Sequence, residues 1–468
     1  MSSSDTAPVV RADKAFLGHP AGLGWLCATE FWERFSYYGM LTLLALYLTQ
    51  QLLLPGHIEH ILGFPAFRRF VEGLYGAHTP QALAAGIVGL YSGLVYVTPL
   101  AGGYLADRFI GRTAAITIGA ILMALGHFLM AFDVSFLIAI LFLLLGVGCF
   151  KGNIATQVGD LYPTGDLRRA DAFQIYLFGI QIAVIASPLV CGTLGQKVAW
   201  HWGFGAAGVG MLIGLVTYLF GRPWLPKEPP RDPAAREAKP PLSGSQWTSV
   251  FWLIAILPVM AVAIIGNQEI FNAYLVWAND AFQLTFFGFS MPITWIVSFD
   301  SIVSALTILL SAGFWRWYAT RRKEPDEITK VTIGVIISAL GPVMLAGAAA
   351  TVAATGHRAS LGWAIGFHLL NDIGFANVLP VGLALYTRAS PRQITGTMIG
   401  IYYLHLFAGN VLTGWLAGQL EKMLATNFWL LHAGLMAAAA AVLFLVKSVA
   451  GRSLSPGVEL APASQAAE

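Results

Sequence analysis

Twelve stretches of about 20 predominantly apolar residues, each long enough to cross a bilayer as a helix, constrain this sequence more than any other feature. They begin near residues 22, 83, 113, 135, 171, 203, 249, 290, 329, 360, 395 and 427. A bilayer leaves the backbone few choices, because every peptide group inside it must be hydrogen-bonded within the protein. The expected fold class is therefore an all-α membrane protein with twelve transmembrane helices. Composition agrees: 57% of the 468 residues are hydrophobic and 11% are charged, against roughly 25% charged in soluble domains. An ordinary cytosolic enzyme is excluded, and the mean hydropathy of +0.68 excludes a disordered chain. The net charge of +3 is too small and too dispersed to suggest a nucleic-acid partner.

The charges instead read as topology signals. An even number of spans puts both termini on one side. With that side inside, of the 27 Lys and Arg only Arg68, Arg69, Lys197, Arg358 and Lys422 fall outside. The asymmetry places both termini in the cytoplasm. Two bases, Arg34 and Lys151, are left over within apolar helices. The polar N-terminus, residues 1–20, has no short apolar segment followed by a small-residue cleavage site, so the first helix is expected to be retained. Cys27, Cys149 and Cys191 lie in apolar stretches without metal-ligand spacing and read as buried thiols.

One long polar break, GRPWLPKEPPRDPAAREAKPPLSGSQ at 221–246, divides the spans six and six. Its prolines and mixed charge read as a semi-extended cytoplasmic linker. The division is the plan of the major facilitator superfamily, with two six-helix bundles and a substrate site between them near the midplane. The expected domains are a bundle at 21–221, a linker at 222–248, a second bundle at 249–450 and a disordered tail at 451–468. There is no room in the linker for two further helices.

The first helix carries Glu30-Phe31-Trp32-Glu33-Arg34-Phe35-Ser36-Tyr37-Tyr38-Gly39. Each central charge costs about 2.5–3.5 kcal/mol on the insertion scale, so the three must face protein or water. At about 100° per residue, Glu30, Glu33, Arg34, Tyr37 and Tyr38 share one polar stripe. Two carboxylates flanking one guanidinium cannot all be neutralised pairwise, which leaves one acid able to take a proton when the site dries. A proton-coupled carrier needs such a group; a static buried network that staples helices is the other reading.

This ExxERFxYYG stretch resembles the signature of the proton-dependent oligopeptide transporter (POT) family. Four more stretches resemble it: VYVTPLAGGYLADRFIGRT (95–113), FKGNIATQVGDLY (150–162), DAFQIYLFGIQIAVIASPLVCGTLG (171–195) and WHWGFGAAGVGM (200–211). The resemblance implies that Glu30 and Glu33 handle protons, with Arg34 as their partner and a docking point for a substrate carboxylate. Lys151 aligns with a fourth-helix lysine that completes an anion clamp with Arg34, unless it snorkels to the interface. Tyr38 and Tyr96 match pocket tyrosines, although spacing alone also allows core packing. Asp107 and Arg108, in the loop after the second span, resemble the major facilitator loop motif and imply a cytoplasmic gate.

The second half departs from the family pattern. Leu41 stands where the family has an arginine, and Asn267, before Gln268, where it has the partner glutamate. Losing both members of a buried pair strands no charge, so that ion pair is expected to be absent. Phe375, five residues before the proline of Leu379-Pro380-Val381-Gly382-Leu383, replaces the glutamate that clamps a peptide's amino terminus. Gln181 and Asp300 stand where the family has asparagines, and Tyr402 where it has a tryptophan. Glu269, Asp300 and Asp372 are additional acids within spans. Asp300, at an aligned pocket position, is the best candidate for a further proton site; the other two could be caps. His127, His368 and His405 read as hydrogen-bonded packing.

The sequence therefore implies a proton symporter importing small peptides or peptide-like, carboxylate-bearing ligands, or alternatively a carrier of a non-peptide anion. It implies no cofactor beyond the proton gradient, no metal, a monomer, and residence in the plasma membrane, the bacterial inner membrane. A membrane hydrolase would need a motif such as HExxH or GxSxG, which no span contains.

Overall fold

The computed structural model describes residues 15–76, 78–163, 166–226 and 242–454, and helix dominates them. In chain order these helices are α1 (Ala21–Tyr47), α2 (Phe64–Tyr75), α3 (Pro80–Leu105), α4 (Arg112–Leu129), α5 (Phe136–Asp160), α6 (Arg168–Ser187), α7 (Thr193–Lys197) and α8 (Trp200–Gly221). They continue as α9 (Gly244–Ala255), α10 (Leu257–Ala263), α11 (Ile265–Gln268), α12 (Ala273–Ala281), α13 (Trp295–Ala319), α14 (Glu327–Thr355), α15 (Leu361–Ala389), α16 (Thr395–Ala417) and α17 (Ala425–Leu454).

Ten spans qualify on length and hydropathy alone. The remaining two are α1, whose apolar residues are diluted by three charges and by Ser, Tyr and Thr, and α16, whose apolar residues are diluted by Thr, Gly, His and Asn. The chain is an all-α membrane protein of twelve spans, and each starts within about five residues of the position read from sequence. Sequence reasoning did not anticipate α2, an amphipathic helix that buries Phe64 and Val71 while Arg68 pairs with Glu72 on its surface. Nor did it anticipate the short hairpin β1 (Thr285–Phe286) and β2 (Phe289–Ser290), turned through Phe287 and Gly288 at positive φ.

The seventh span is broken into α9, α10, α11 and α12. Pro258 has no N–H to continue the ladder. Asn272, after a 3₁₀ turn at Glu269–Phe271, leaves helical geometry altogether (φ −126°, ψ −112°). Helix ends elsewhere are set locally: Ser243 caps α9 in a reciprocal capping box with Gln246, Asp326 caps α14, and Gly356 closes it in the left-handed region. Of the proposed linker, Arg222–Trp224 form a 3₁₀ turn, and 227–241 lie outside the described residues. The helix α17 runs on to Leu454, into the segment read as tail. Residues 455–468 and 1–14 also lie outside the described residues.

The described residues fall into two compact units. One lies within Met1–Leu74, Val97–Asp232 and Phe286–Ile302; the other lies within Tyr75–Tyr96, Pro233–Thr285 and Val303–Glu468. In the first, α1 packs on α6 and α8, and α4 on α5 and α8. The crossing of α3 and α5 is backbone against backbone: a Cβ on Gly102 would lie 2.0 Å from the Gly148 carbonyl oxygen. In the second, α14 packs on α15 and α17, around a core that includes Leu253, Ile265, Val335, Tyr386, Tyr402 and Leu443.

Candidate functional site

The site begins with the two faces of α1. Phe31, Trp32 and Phe35 enter an apolar groove with Phe128 and Trp202, which leaves the charged stripe to turn inward. Glu30, Glu33 and Arg34 are 2%, 1% and 6% exposed, a depth at which charges must be compensated by each other. Arg34 donates from Nε to Glu30 Oε1 at 2.7 Å, and the same nitrogen stands 2.9 Å from Glu33 Oε2. Neither Glu33 oxygen accepts a hydrogen bond among the described residues, so Glu33 meets Arg34 as a charge only. The buried Tyr176 hydroxyl on α6 is directed at Glu30, and Arg34 lies 5.9 Å from the Tyr37 ring centroid.

Lys151 on α5 acts electrostatically on Arg34, Glu33 and Glu30 together. Two acids and two bases therefore interact, Glu30, Glu33 and Arg34 buried and Lys151 half-buried, and their formal charges sum to zero. The guanidinium alone would have left one acid uncompensated; the lysine supplies the balance. Tyr38, edge-on to Tyr37 at 5.0 Å, lies within reach of Arg34, Glu33, Glu30 and Asp300. Asp300 is 8% exposed near the start of α13. That start is tied within the same unit: Thr294 donates to Gln196, the Trp295 indole to Thr193 Oγ1 at 2.7 Å, and Ser298 to the Ile185 carbonyl at 2.7 Å. Gln181 is half-buried on α6.

At the other end of α3, Asp107 and Arg108 lie in a wide helical turn, Ala106–Ile110. Arg108 stacks over Tyr104, while the ion pairs belong to Arg112, which reaches Asp107 at 3.5 Å and Asp160 at 2.9 Å. Arg112 joins the ends of α3 and α5 to the start of α4. From sequence Arg112 reads as the end of the same loop motif and as a positive-inside charge, with the gate role given to Asp107 and Arg108.

The remaining candidates lie in the second unit. Asn410 donates to Gln268 at 2.9 Å, and Gln268 donates to Asn267 at 3.2 Å, which gives a neutral amide chain where the family pattern has an acid. Tyr402 is fully buried and donates to the Leu379 carbonyl at 2.7 Å, beside the proline of α15. Phe375 and Tyr96 pack against the unit's apolar core. His368 bonds Tyr274, and His405 bonds the Tyr402 carbonyl. Tyr176 and Asn410 were missed because neither is charged and only packing brings them to charged or amide partners.

Solved structures share this architecture. A peptide transporter POT in complex with sulfate superposes with a TM-score of 0.81 at 23% identity, covering 94% of this chain and 97% of that one. A POT family transporter in complex with 5-aminolevulinic acid gives 0.74 at 21% identity, covering 93% and 98%. Among curated proteins, the peptide transporter YePEPT of Yersinia enterocolitica (subsp. palearctica serotype O:3, strain YE-P4) is 28% identical over 95% of this chain and 97% of its own length. Twelve spans with the major facilitator fold define a multi-pass membrane transporter. The profile of the POT family matches residues 113–250 and 245–430, and the chain belongs to that family.

Proposed function

We propose that this protein is a proton-coupled symporter that imports small peptides or peptide-like ligands bearing a carboxylate. The charge balance among Glu30, Glu33, Arg34 and Lys151 carries the reading. A substrate carboxylate that engages Arg34 and Lys151 adds one negative charge to a cluster already neutral. In a desolvated site that charge must be offset, and protonation of Glu30 or Glu33 offsets it. Anion and proton are thereby taken up together, and neither enters readily alone. Glu33, with no hydrogen bond to lose, is the acid better placed to accept the proton; Asp300 beside Tyr38 serves as an additional proton site.

Tyr38 and Gln181 in one unit, and Tyr96, Asn267, Gln268 and Phe375 in the other, contribute uncharged binding groups, and Asp107 and Arg108, with Arg112, the cytoplasmic gate; Tyr402, fully buried on the Leu379 carbonyl, packs the core instead. The protein works as a monomer in a bacterial inner membrane with both termini in the cytoplasm, and draws on the proton gradient with no bound cofactor. The peptide-transporter relative and the ligands held by the structural neighbours support this class of cargo. One observation favours a second reading, a non-peptide organic or inorganic anion: the amide chain at Asn267 and Gln268 and the ring of Phe375 supply no acid for a peptide's amino terminus.

In proteoliposomes, Glu33→Gln should abolish accumulation driven by a pH gradient while counterflow exchange persists, and undiminished accumulation by both Glu33→Gln and Glu30→Gln would refute the coupling. A thermal-shift screen against dipeptides, amino-blocked peptides and small organic anions separates the two cargo readings, because a ligand of the folded state raises its melting temperature. Stabilisation by blocked peptides and simple anions equal to that by free dipeptides would favour the non-peptide reading.

A further inference from the structure

The second unit holds a titratable pair that this mechanism does not use. Glu269, in the 3₁₀ turn of the broken seventh span, and His432, on α17, are both fully buried. Glu269 Oε1 stands 2.9 Å from His432 Nε2, and the other ring nitrogen, Nδ1, stands 2.9 Å from the Phe428 carbonyl oxygen. A carbonyl oxygen only accepts, so Nδ1 carries a hydrogen. Across the ring, Nε2 faces a carboxylate oxygen at hydrogen-bonding distance, where two lone pairs do not meet without a proton between them. An ionised Glu269 beside a ring lacking that proton would also leave an uncompensated charge sealed from water.

No other group among the described residues supplies the compensation. Among the described residues, His432 is the one titratable side chain that acts on Glu269. From α15, His368 is bonded to Tyr274 and Asp372 lies beside Asn371; from α16, His405 is bonded to the Tyr402 carbonyl. The stretch of α14 beyond Lys330 carries no titratable residue. We infer that Glu269 and His432 form a further proton-binding site, holding one proton between carboxylate and imidazole at the break of the seventh span. The inference depends on the proton-coupled reading above for its consequence, since it makes the pair a further coupling site.

The placement ties that proton to backbone geometry. Glu269 Oε2 accepts from the Ala273 N–H at 3.1 Å, at the first residue of α12, and Asn272 donates to the Ala85 carbonyl at 3.2 Å. Removing the shared proton separates α17 from the turn that Glu269 anchors, so occupancy of the site sets whether the break is held.

The test uses the double variant Glu269→Gln/His432→Gln, in which two amides keep a hydrogen bond and lose the titratable proton. Reconstituted wild type and variant are compared at static head, with a pH gradient of about one unit and the membrane potential clamped at zero. Loss of one coupled proton should lower the accumulation ratio about tenfold while counterflow exchange stays unchanged; an unaltered ratio would overturn the inference and leave the pair a structural tie. A second measurement needs no transport: nitrogen-15 spectra of histidine-labelled protein, assigned against His432→Gln, should show His432 Nε2 protonated or accepting a hydrogen bond. A free Nε2 would overturn the inference, whereas absent accumulation by the wild type would refute the coupled reading and leave this measurement intact.

Discussion

Replacing Arg34 by methionine removes the one cation among the described residues that touches both acids, and keeps the length and apolar volume of the side chain. Each contact, at 2.7 and 2.9 Å, represents about 6 kcal/mol of gross Coulomb attraction at an effective dielectric near 20. Desolvation of the buried ions offsets most of it, and the net cost of breaking such a pair is about 3–5 kcal/mol, because one carboxylate is left uncompensated. The same charge balance predicts a rescue. In Arg34→Met/Glu33→Gln, Glu30 alone remains as an anion, with Lys151 within reach and the Tyr176 hydroxyl directed at it. Formal neutrality returns, and more than half of the loss should be recovered, a coupling of about 2 kcal/mol or more. Thermal denaturation in detergent reads the difference, with Arg34→Met melting on the order of 5–10 °C below wild type. If the single variant melts like wild type, or the double variant is no more stable than the single, the acids are not held as charges balanced by Arg34.

Three further outcomes follow from particular contacts. Gly102→Ala would drive a methyl group into the Gly148 carbonyl; the α3–α5 crossing must open, at about 1–3 kcal/mol or more, and expression or melting temperature should fall where Gly103→Ala, with open space around it, does not. Tyr402→Phe loses the bond to the Leu379 carbonyl, about 1 kcal/mol, which a melting shift of a degree or two would register. Asp166, in the loop between α5 and α6, accepts from the Arg168 side chain and backbone, which hold its carboxyl below the usual range. A lowered folded-state pKa contributes stability above the unfolded value of about 3.9 and loses it as pH falls further. Asp166→Asn should therefore melt below wild type at neutral pH, and the two should converge under acid.

The span count, the break between the halves and the polar stripe of α1 were legible in the sequence because each depends on local chemistry. A bilayer-length apolar run has one stable backbone conformation in lipid, and residues four apart, such as Glu30 and Arg34, meet on any α-helix. The breaks in the seventh span were less legible: Pro258 signals one, but nothing local announces that Asn272 leaves helical geometry. The helix α2 and the hairpin after α12 escaped because they are too short or too polar for a ruler set to membrane thickness.

Which charges share a site was not fixed locally. From sequence, Lys151 had two readings, inward clamp or snorkelling cation, and Arg108 was taken for the gate; packing put Lys151 with the first-helix cluster and gave the ion pairs to Arg112. Glu269 read as a possible cap. It is one, on Ala273, but its histidine stands 163 residues away. Sequence alone determined that this chain spans the membrane twelve times with three charges buried in its first helix. Tertiary structure decided how those charges balance, because a helix sets only its own neighbours and the partner across the bundle is chosen by how whole helices pack.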